Sequence, residues 1–552
     1  MTALMPSLLS ALPTVAPPLG YQPNIVFILT DDQDALLGAD GYDTVGSLAA
    51  MPNVRWLLKD EGASLDNFFV NTPICCPSRT EFFTGRYFHN VGPPGDPAGG
   101  SCMYADTKMA TSNETGIFGL LRRASYNVGV FGKVTNDQPQ ALLRITEQAS
   151  ADVIDCPIDF NNYDGLPYYH LFANGSTAKE TLDVSAPRFG TTYQTAQIGN
   201  RTLLWLDTAI SDPRPFFAYI GPHAPHFPAK PAPWYEAAFA QLTAPRTPNY
   251  NCSSPGKAQH VRQNPPLSAR AKCWEDQHFR DRWASLLSVD DLVADVYGLL
   301  ARRSVLDRTF IVYTSDHGYK QGQWRIPTSK QHPYETDIRV PFLIRGPGIA
   351  AGATFASQLS GNVDVLPTLL DFAAGAKFAN ALALDGRSML GFLAPDLRTA
   401  AGALPWRDAF LNEYLSVGTY FNDHSAVWED GNSTTERCGG PIPRGPEGAN
   451  ASAECVEGTG VGTGSCYFVD STHSNTWRQL RVINASMNIN YIEYDPLWLF
   501  EEGSPLQHYE LYDLAADPYQ MHNLYSSTPH AKRAALHAQL DRYWRCKGAE
   551  CP

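Results

Sequence analysis

Short unbroken apolar runs recur along this chain, and most of them break off at charged or imidazole side chains. Asn24 to Thr30 (NIVFILT) runs into Asp-Asp-Gln-Asp, and Val128 to Lys133 (VGVFGK) ends in a lysine. Phe216 to Gly221 (FFAYIG) leads into Pro-His-Ala-Pro-His-Phe-Pro, and Thr309 to Gly318 (TFIVYTSDHG) carries its own Asp-His pair. Pro341 to Gly348 (PFLIRGPG) completes the set. Continuous runs of this length suit strands buried on both faces, as in a parallel sheet between helix layers. Helical spacing fills the gaps. Leu286, Leu287, Leu292, Val293, Val296, Leu299 and Leu300 recur on one face, and Val363 to Gly375 reads as a helix closed by its glycine, with Pro367 marking a kink or a start. Strands alternating with helices predict a doubly wound α/β domain.

The rhythm changes near residues 395 to 405. A stretch rich in Gly, Ser, Thr and Pro follows, holding Cys438, Cys455 and Cys466, and it reads as an insertion over about 420–475. Two antiparallel strands, TWRQLRVI and INYIEYD, and a C-terminal helix then predict a smaller α+β domain over 405–552. Residues 22–404 form the larger domain, and 1–21 a leader or weak signal peptide. The formal net charge of -14, without a basic stripe, speaks against nucleic acid as a partner. No apolar run reaches the ~18 residues of a membrane-spanning helix. Eleven cysteines, with Cys546 and Cys551 as a local tail pair, suit an oxidising compartment. So do sequons at Asn113, Asn174, Asn200, Asn251, Asn432, Asn450 and Asn484. The chain reads as secreted, or resident in a cell-wall or periplasmic space or a lysosome-like compartment.

Ligands of open α/β sheets bind outside the carboxyl ends of the strands. Asp31, Asp32, Lys133, His223, His226, Asp316 and His317 all stand there, so four strand ends are expected to converge on one crevice. Three carboxylates in one crevice call for a cation, and hard oxygen donors point to Ca²⁺ or Mg²⁺ rather than zinc. Asp-Asp after a strand is by itself commonly a helix cap and a solvated acid; the second pair, Asp316-His317, shifts that balance. Arg79, Lys133 and Lys330 are candidates to hold a tetrahedral oxyanion, and His226 a candidate proton donor. Pro77 suits the first position of a helix, which places Cys75 and Cys76 at or just before a helix N-terminus. Such an end favours a bound anion or a depressed thiol pKa.

Cys75 to Gly85 (CCPSRTEFFTG) resembles the sulfatase signature C-x-P-S-R-x-x-x-x-T-G at every fixed position. Thr314 to Ile349 is similar to the family's second long block, and Glu510 to Leu524 to its C-terminal block. The likeness spans about residues 22–530, with 420–475 unmatched, and looks nearest to the N-acetylglucosamine-6-sulfatase and arylsulfatase branches. It implies an alkaline-phosphatase-like fold, with a large mostly parallel sheet between helices. It implies that a formylglycine-generating enzyme converts Cys75 to formylglycine, whose hydrate is the nucleophile. Asp31, Asp32, Asp316 and His317, with residue 75, would bind one Ca²⁺. Arg79 would stabilise the modified residue, Lys133 and Lys330 would hold sulfate oxygens, and His226 would protonate the leaving alcohol or phenol.

Two positions depart from the pattern. Many members have Asn where this chain has His317, which then serves either the metal or the sulfate and nucleophile. Many have a histidine two residues after the lysine, where this chain has Thr135. The base for the second half of the reaction is left to His89 or His317, with Asn136 and His223 in support. The resemblance implies hydrolysis of an aryl or sugar sulfate. A phosphodiesterase or phosphonate hydrolase of the same superfamily, and a silent binder of sulfated glycans, are the alternatives.

Overall fold

A computed structural model describes residues 19–39, 41–43, 45–91, 107–136, 138–156, 168–171, 177–180, 193–262, 264–397, 406–416, 475–497, 500 and 508–552. Residues 1–18 of the leader, the 404/405 boundary and 420–474 of the insertion lie outside them. Asn174, Asn432, Asn450, Cys438, Cys455 and Cys466 lie outside as well.

Eight strands form the main sheet: β1 (Asn24–Thr30), β2 (Ala63–Leu65), β3 (Asn127–Gly132), β4 (Val153–Asp155), β5 (Phe216–Gly221), β6 (Thr309–Ser315), β7 (Phe342–Arg345) and β8 (Ala353–Phe355). Their spatial order is β8-β2-β7-β6-β1-β5-β3-β4. The block β6-β1-β5-β3-β4 is parallel throughout, whereas β7 runs antiparallel to both β6 and β2. All five apolar runs are therefore strands. The last runs antiparallel to its neighbours: residues 316–341 carry Asp316, His317 and Lys330 before the chain returns beside β6 in the opposite direction.

Alternation along β1 explains the layers. Ile25, Phe27 and Leu29 pack into one core with α1 (Cys75–Thr84), α2 (Ile117–Arg123) and, further along the chain, the helix Val365–Ala374. Val26 and Ile28 point into the other, built on α3 (Gln194–Ala209) and α4 (Ala269–Arg302). Successive strand residues face opposite sides, so a strand apolar at every position needs a helix layer on each. The helix α5 (Val365–Ala374) is closed by Gly375 at φ +82°, as its sequence suggests. Pro367 is its third residue, where the N–H would have no partner within the helix, so it marks the start and makes no kink.

A second, antiparallel sheet holds β9 (Ala409–Tyr414), β10 (Trp477–Ile483), β11 (Asn488–Tyr494) and β12 (His508–Asp513), in that order, with α6 (His530–Trp544) against it. The two predicted C-terminal strands are β10 and β11. This small sheet shares a core with Phe69, Ile74 and Tyr87, which flank the start of α1 and follow its end. Cys546 and Cys551 form the expected tail disulfide. No helix among the described residues is long and apolar enough to cross a membrane.

Candidate active site

The parallel neighbours β6, β1, β5 and β3 end side by side, so Asp316–His317, Asp31–Asp32, His223–His226 and Lys133 emerge at one edge of the sheet. β1 and β3 turn sharply there. Asp32 takes φ +62°, a region that Asp tolerates better than most residues. Gly132 takes φ +90°, and a Cβ on it would lie 2.2 Å from the Gly221 carbonyl oxygen. Only glycine lets β3 pass that close to β5 before Lys133.

Helix α1 brings the remaining groups. It begins at Cys75 itself, and Pro77 is its third residue, two places later than the first position expected of it. The shift costs nothing, because the first intrahelical bond is Ser78 N–H to Ile74 O at 3.0 Å and a proline at 77 forfeits no partner. Every residue of α1 is buried, Cys75 and Arg79 included.

The carboxylates divide their oxygens by partner. Asp31 Oδ2 faces Lys133 Nζ at 2.5 Å, Arg79 Nη2 at 3.5 Å and His223 Nε2 at 3.6 Å. Asp316 Oδ2 accepts from Arg79 Nε at 2.8 Å. The other oxygens turn inward: His317 Nε2 lies 3.9 Å from Asp31 Oδ1, 3.3 Å from Asp32 Oδ1 and 3.4 Å from Asp316 Oδ1. Cys75 Sγ is 3.3 Å from the same nitrogen and 3.5 Å from Asp31 Oδ1. His317 Nδ1 sits 2.9 Å from the Gly318 carbonyl, so Nδ1 donates there and Nε2 is turned towards the carboxylates. Lys330 Nζ completes the ring, 2.5 Å from Asp32 Oδ1 and 3.2 Å from Cys75 Sγ.

Burial alone would neutralise these acids. The cations outweigh it. Asp31 is held well below the ordinary carboxylate range by Lys133, His226, Arg79 and His223 against the pull of burial. Asp32 is brought to about 2, with Lys330, His226 and His317 opposing burial. In return, Asp31 raises Lys133 and Asp32 raises Lys330, each against its own desolvation. Burial and the nearby Asp31 push the Cys75 thiol upward, so an unmodified Cys75 is a protonated thiol and a poor nucleophile. Burial keeps His223 neutral, with the neighbouring His226 and Lys133 acting in the same direction.

The structure thus gathers Asp31, Asp32, Cys75, Arg79, Lys133, His223, His226, Asp316, His317 and Lys330. Asn136 adjoins them, its N–H donating to Cys76 Sγ at 3.1 Å. His89 is drawn elsewhere. Its Nδ1 lies 2.9 Å from Glu413 Oε1 and its Nε2 3.2 Å from the Cys546 carbonyl, so both ring nitrogens face the C-terminal region rather than the crevice. Asp31, Asp32, Cys75 and His317 lie close enough together to share an ion, with Asp316 Oδ1 beside them. The carboxylate oxygens suit a hard divalent cation, and the outer oxygens of Asp31 and Asp316 are already tied to Lys133 and Arg79.

Two supporting side chains escaped the sequence reading. Tyr219 OH accepts from Arg79 Nη1 at 2.9 Å and donates to the Lys133 carbonyl at 2.5 Å. A tyrosine inside an all-apolar buried strand was its signal, since a buried hydroxyl needs a partner. Arg282 donates to the Asp32 carbonyl at 2.6 Å and the Pro225 carbonyl at 3.3 Å. Its signal was a charge beside Phe279, Trp283 and Leu286 on the buried face of α4.

Comparison with known proteins bears on this arrangement. The family model described as Sulfatase matches residues 23–376. The chain is similar to N-acetylglucosamine-6-sulfatase of Capra hircus, 30% identical over 539 residues that cover 96% of this chain and 85% of the relative. It is similar to an arylsulfatase of Volvox carteri, 27% identical over 558 residues, covering 96% of this chain and 76% of the relative. A solved structure described as a complex with its substrate D-glucosamine-2-N,6-O-disulfate superposes with a TM-score of 0.64 at 20% identity, over 94% of this chain and 97% of that one. At that identity the likeness concerns the fold.

Proposed function

The chain belongs to the sulfatase family, and from that premise we propose that this enzyme hydrolyses the sulfate ester of a sugar, using residue 75 as nucleophile and a bound calcium ion. The observation that carries the proposal is the convergence of three buried carboxylates, the buried cations Arg79 and Lys133, the half-buried Lys330 and Cys75 at the start of α1. Carboxylates and cations cancel in charge. A divalent cation adds two positive charges and matches the crevice to an anionic ester.

Asp31, Asp32, Asp316 and His317 would hold the calcium, which when bound withdraws charge from the ester oxygens. Formylglycine at position 75, when formed and hydrated, supplies an oxygen nucleophile with a second hydroxyl able to expel sulfate afterwards. The rest is the work of this chain's own side chains. Lys330, 3.2 Å from Cys75 Sγ, and Lys133, held by Asp31, stabilise the charge growing on the sulfate oxygens. Arg79 fixes Asp31 and Asp316 and is itself fixed by Tyr219. His226 keeps Nδ1 on the Phe227 carbonyl at 2.6 Å, so Nε2 is the atom that carries a proton to the leaving oxygen. Because α1 is wholly buried, a modifying enzyme must meet Cys75 before the chain folds.

A hexosamine sulfate is favoured by the name of the Capra hircus relative and by the substrate of the solved complex. The arylsulfatase relative recommends an aryl sulfate as the laboratory probe. The tail disulfide and the sequons support a secreted or luminal enzyme. Sulfate release should be compared across glucosamine 6-sulfate, other sugar sulfates, an aryl sulfate and a phosphonate monoester, before and after chelation and calcium replacement. The expected outcome is the highest kcat/KM on the 6-sulfate, with activity lost on chelation and restored by Ca²⁺. Undiminished turnover after rigorous removal of divalent cations would refute the metal assignment. Preference for the phosphonate would favour the rival hydrolase, and binding without turnover the silent glycan binder.

A further inference from the structure

Lys330 stands between two residues with positive φ, Ser329 at +115° and Gln331 at +78°. Residues with side chains disfavour that region, and a segment keeps it only where its surroundings over-determine it. Here the grip is atom by atom. The Ser329 carbonyl accepts from the Lys320 N–H at 3.0 Å. The Lys330 carbonyl accepts from Lys320 Nζ at 3.3 Å and lies 3.0 Å from His332 Nδ1. The Gln331 N–H reaches the Pro73 carbonyl at 3.2 Å, and the Gln331 carbonyl accepts from Asn475 Nδ2 at 3.1 Å and Trp477 Nε1 at 3.0 Å.

The two side chains on the Lys330 carbonyl share one anchor. Asp337 Oδ2 accepts from Lys320 Nζ at 2.6 Å and from the His332 N–H at 2.9 Å. Its backbone carbonyl takes the Gly318 N–H at 2.8 Å, next to His317. Lys320, His332 and Asp337 are all buried. Burying an ammonium and a carboxylate is costly unless both are fully bonded. The ammonium of Lys320 bonds the Lys330 carbonyl and the Asp337 carboxylate, contacts that fix the backbone carrying Lys330.

We propose that Lys320, clamped to Asp337, is a positioning residue that aims the Lys330 ammonium at the reacting ester. The inference rests on the sulfatase reading of the crevice. A catalytic group displaced by ~1 Å can cost about 10²-fold in rate. Lys320→Met is therefore expected to lower kcat/KM for 4-nitrophenyl sulfate by roughly 10–100-fold, raising KM as well as lowering kcat, because Lys330 contacts the ester before and during reaction.

The decisive comparison repeats the substitution in a Lys330→Ala background. With nothing left to aim, Lys320→Met should change kcat/KM there by less than about threefold. His332→Phe removes the bond to the Lys330 carbonyl and the 3.7 Å contact of Nδ1 with Asp337 Oδ2. It keeps the backbone bond to Asp337 and a ring beside Tyr334, now 6.0 Å between centroids, so it is the second variant should Lys320→Met not fold. It should follow the same pattern with smaller amplitude. Equal losses in both backgrounds, or no loss in the parent enzyme, would overturn the positioning role. If Lys330→Ala alone left kcat/KM unchanged, the reading of the crevice itself would fail, and the positioning role with it.

Discussion

Each charged residue of the crevice is set by its neighbours more than by its own chemistry. His226 is the simplest to isolate. Its Nδ1 is committed to its own loop and its Nε2 lies 4.0 Å from Asp32 Oδ2, at the most open part of the cluster. The proton-donor role proposed for it matters in proportion to the basicity of the leaving oxygen. His226→Ala should lower kcat by about 10²–10⁴-fold for an alkyl or sugar sulfate. It should lower it far less for a nitrophenyl sulfate, which leaves without help. Steady-state kinetics on the two esters would check this; equal losses would remove His226 from the proton-transfer role.

Helix α1 shows how an element can carry a site at a cost in stability. Glu81 is buried within it, bonded by the Thr72 N–H at 3.2 Å and Asn362 Nδ2 at 2.6 Å, and burial pushes its carboxyl up to about 8 despite those bonds. A carboxyl raised above its unfolded value of about 4.3 binds more protons folded than unfolded, so folding stability falls as pH rises from there towards 8. Glu81→Gln removes that titration. Relative to the parent, the variant should gain more than about 1 kcal/mol of stability between pH 5 and pH 8, read from melts at the two pH values. A constant difference would show that Glu81 does not titrate in this interval. The same helix marks a limit of sequence reading. Pro77 was legible as a helix start, but proline is equally free of penalty at the first three positions, so local sequence could not choose among them.

Across the whole molecule, legibility followed the range of the interaction. Unbroken apolar runs announced the central strands, and polar residues at their ends announced the crevice, because burial and strand polarity are written locally. The antiparallel direction of Phe342–Arg345 was not written in its own residues; an apolar run reads the same in either direction, and its pairing with Ile311–Thr314 decides it. His89 illustrates the same limit from the opposite side. It lies close to Cys75 in sequence, yet a contact 324 residues away with Glu413 draws it to the small sheet. Tyr219 and Arg282 were hidden because their roles depend on what packs above them. The strand ends meet around residue 75, and the proposed chemistry turns on what that residue is in the mature enzyme. Intact-peptide mass spectrometry of catalytically active enzyme from a host that exports it addresses that claim directly. The account predicts an aldehyde or its hydrate in place of the thiol at residue 75. Active enzyme carrying only an unmodified cysteine there would contradict it.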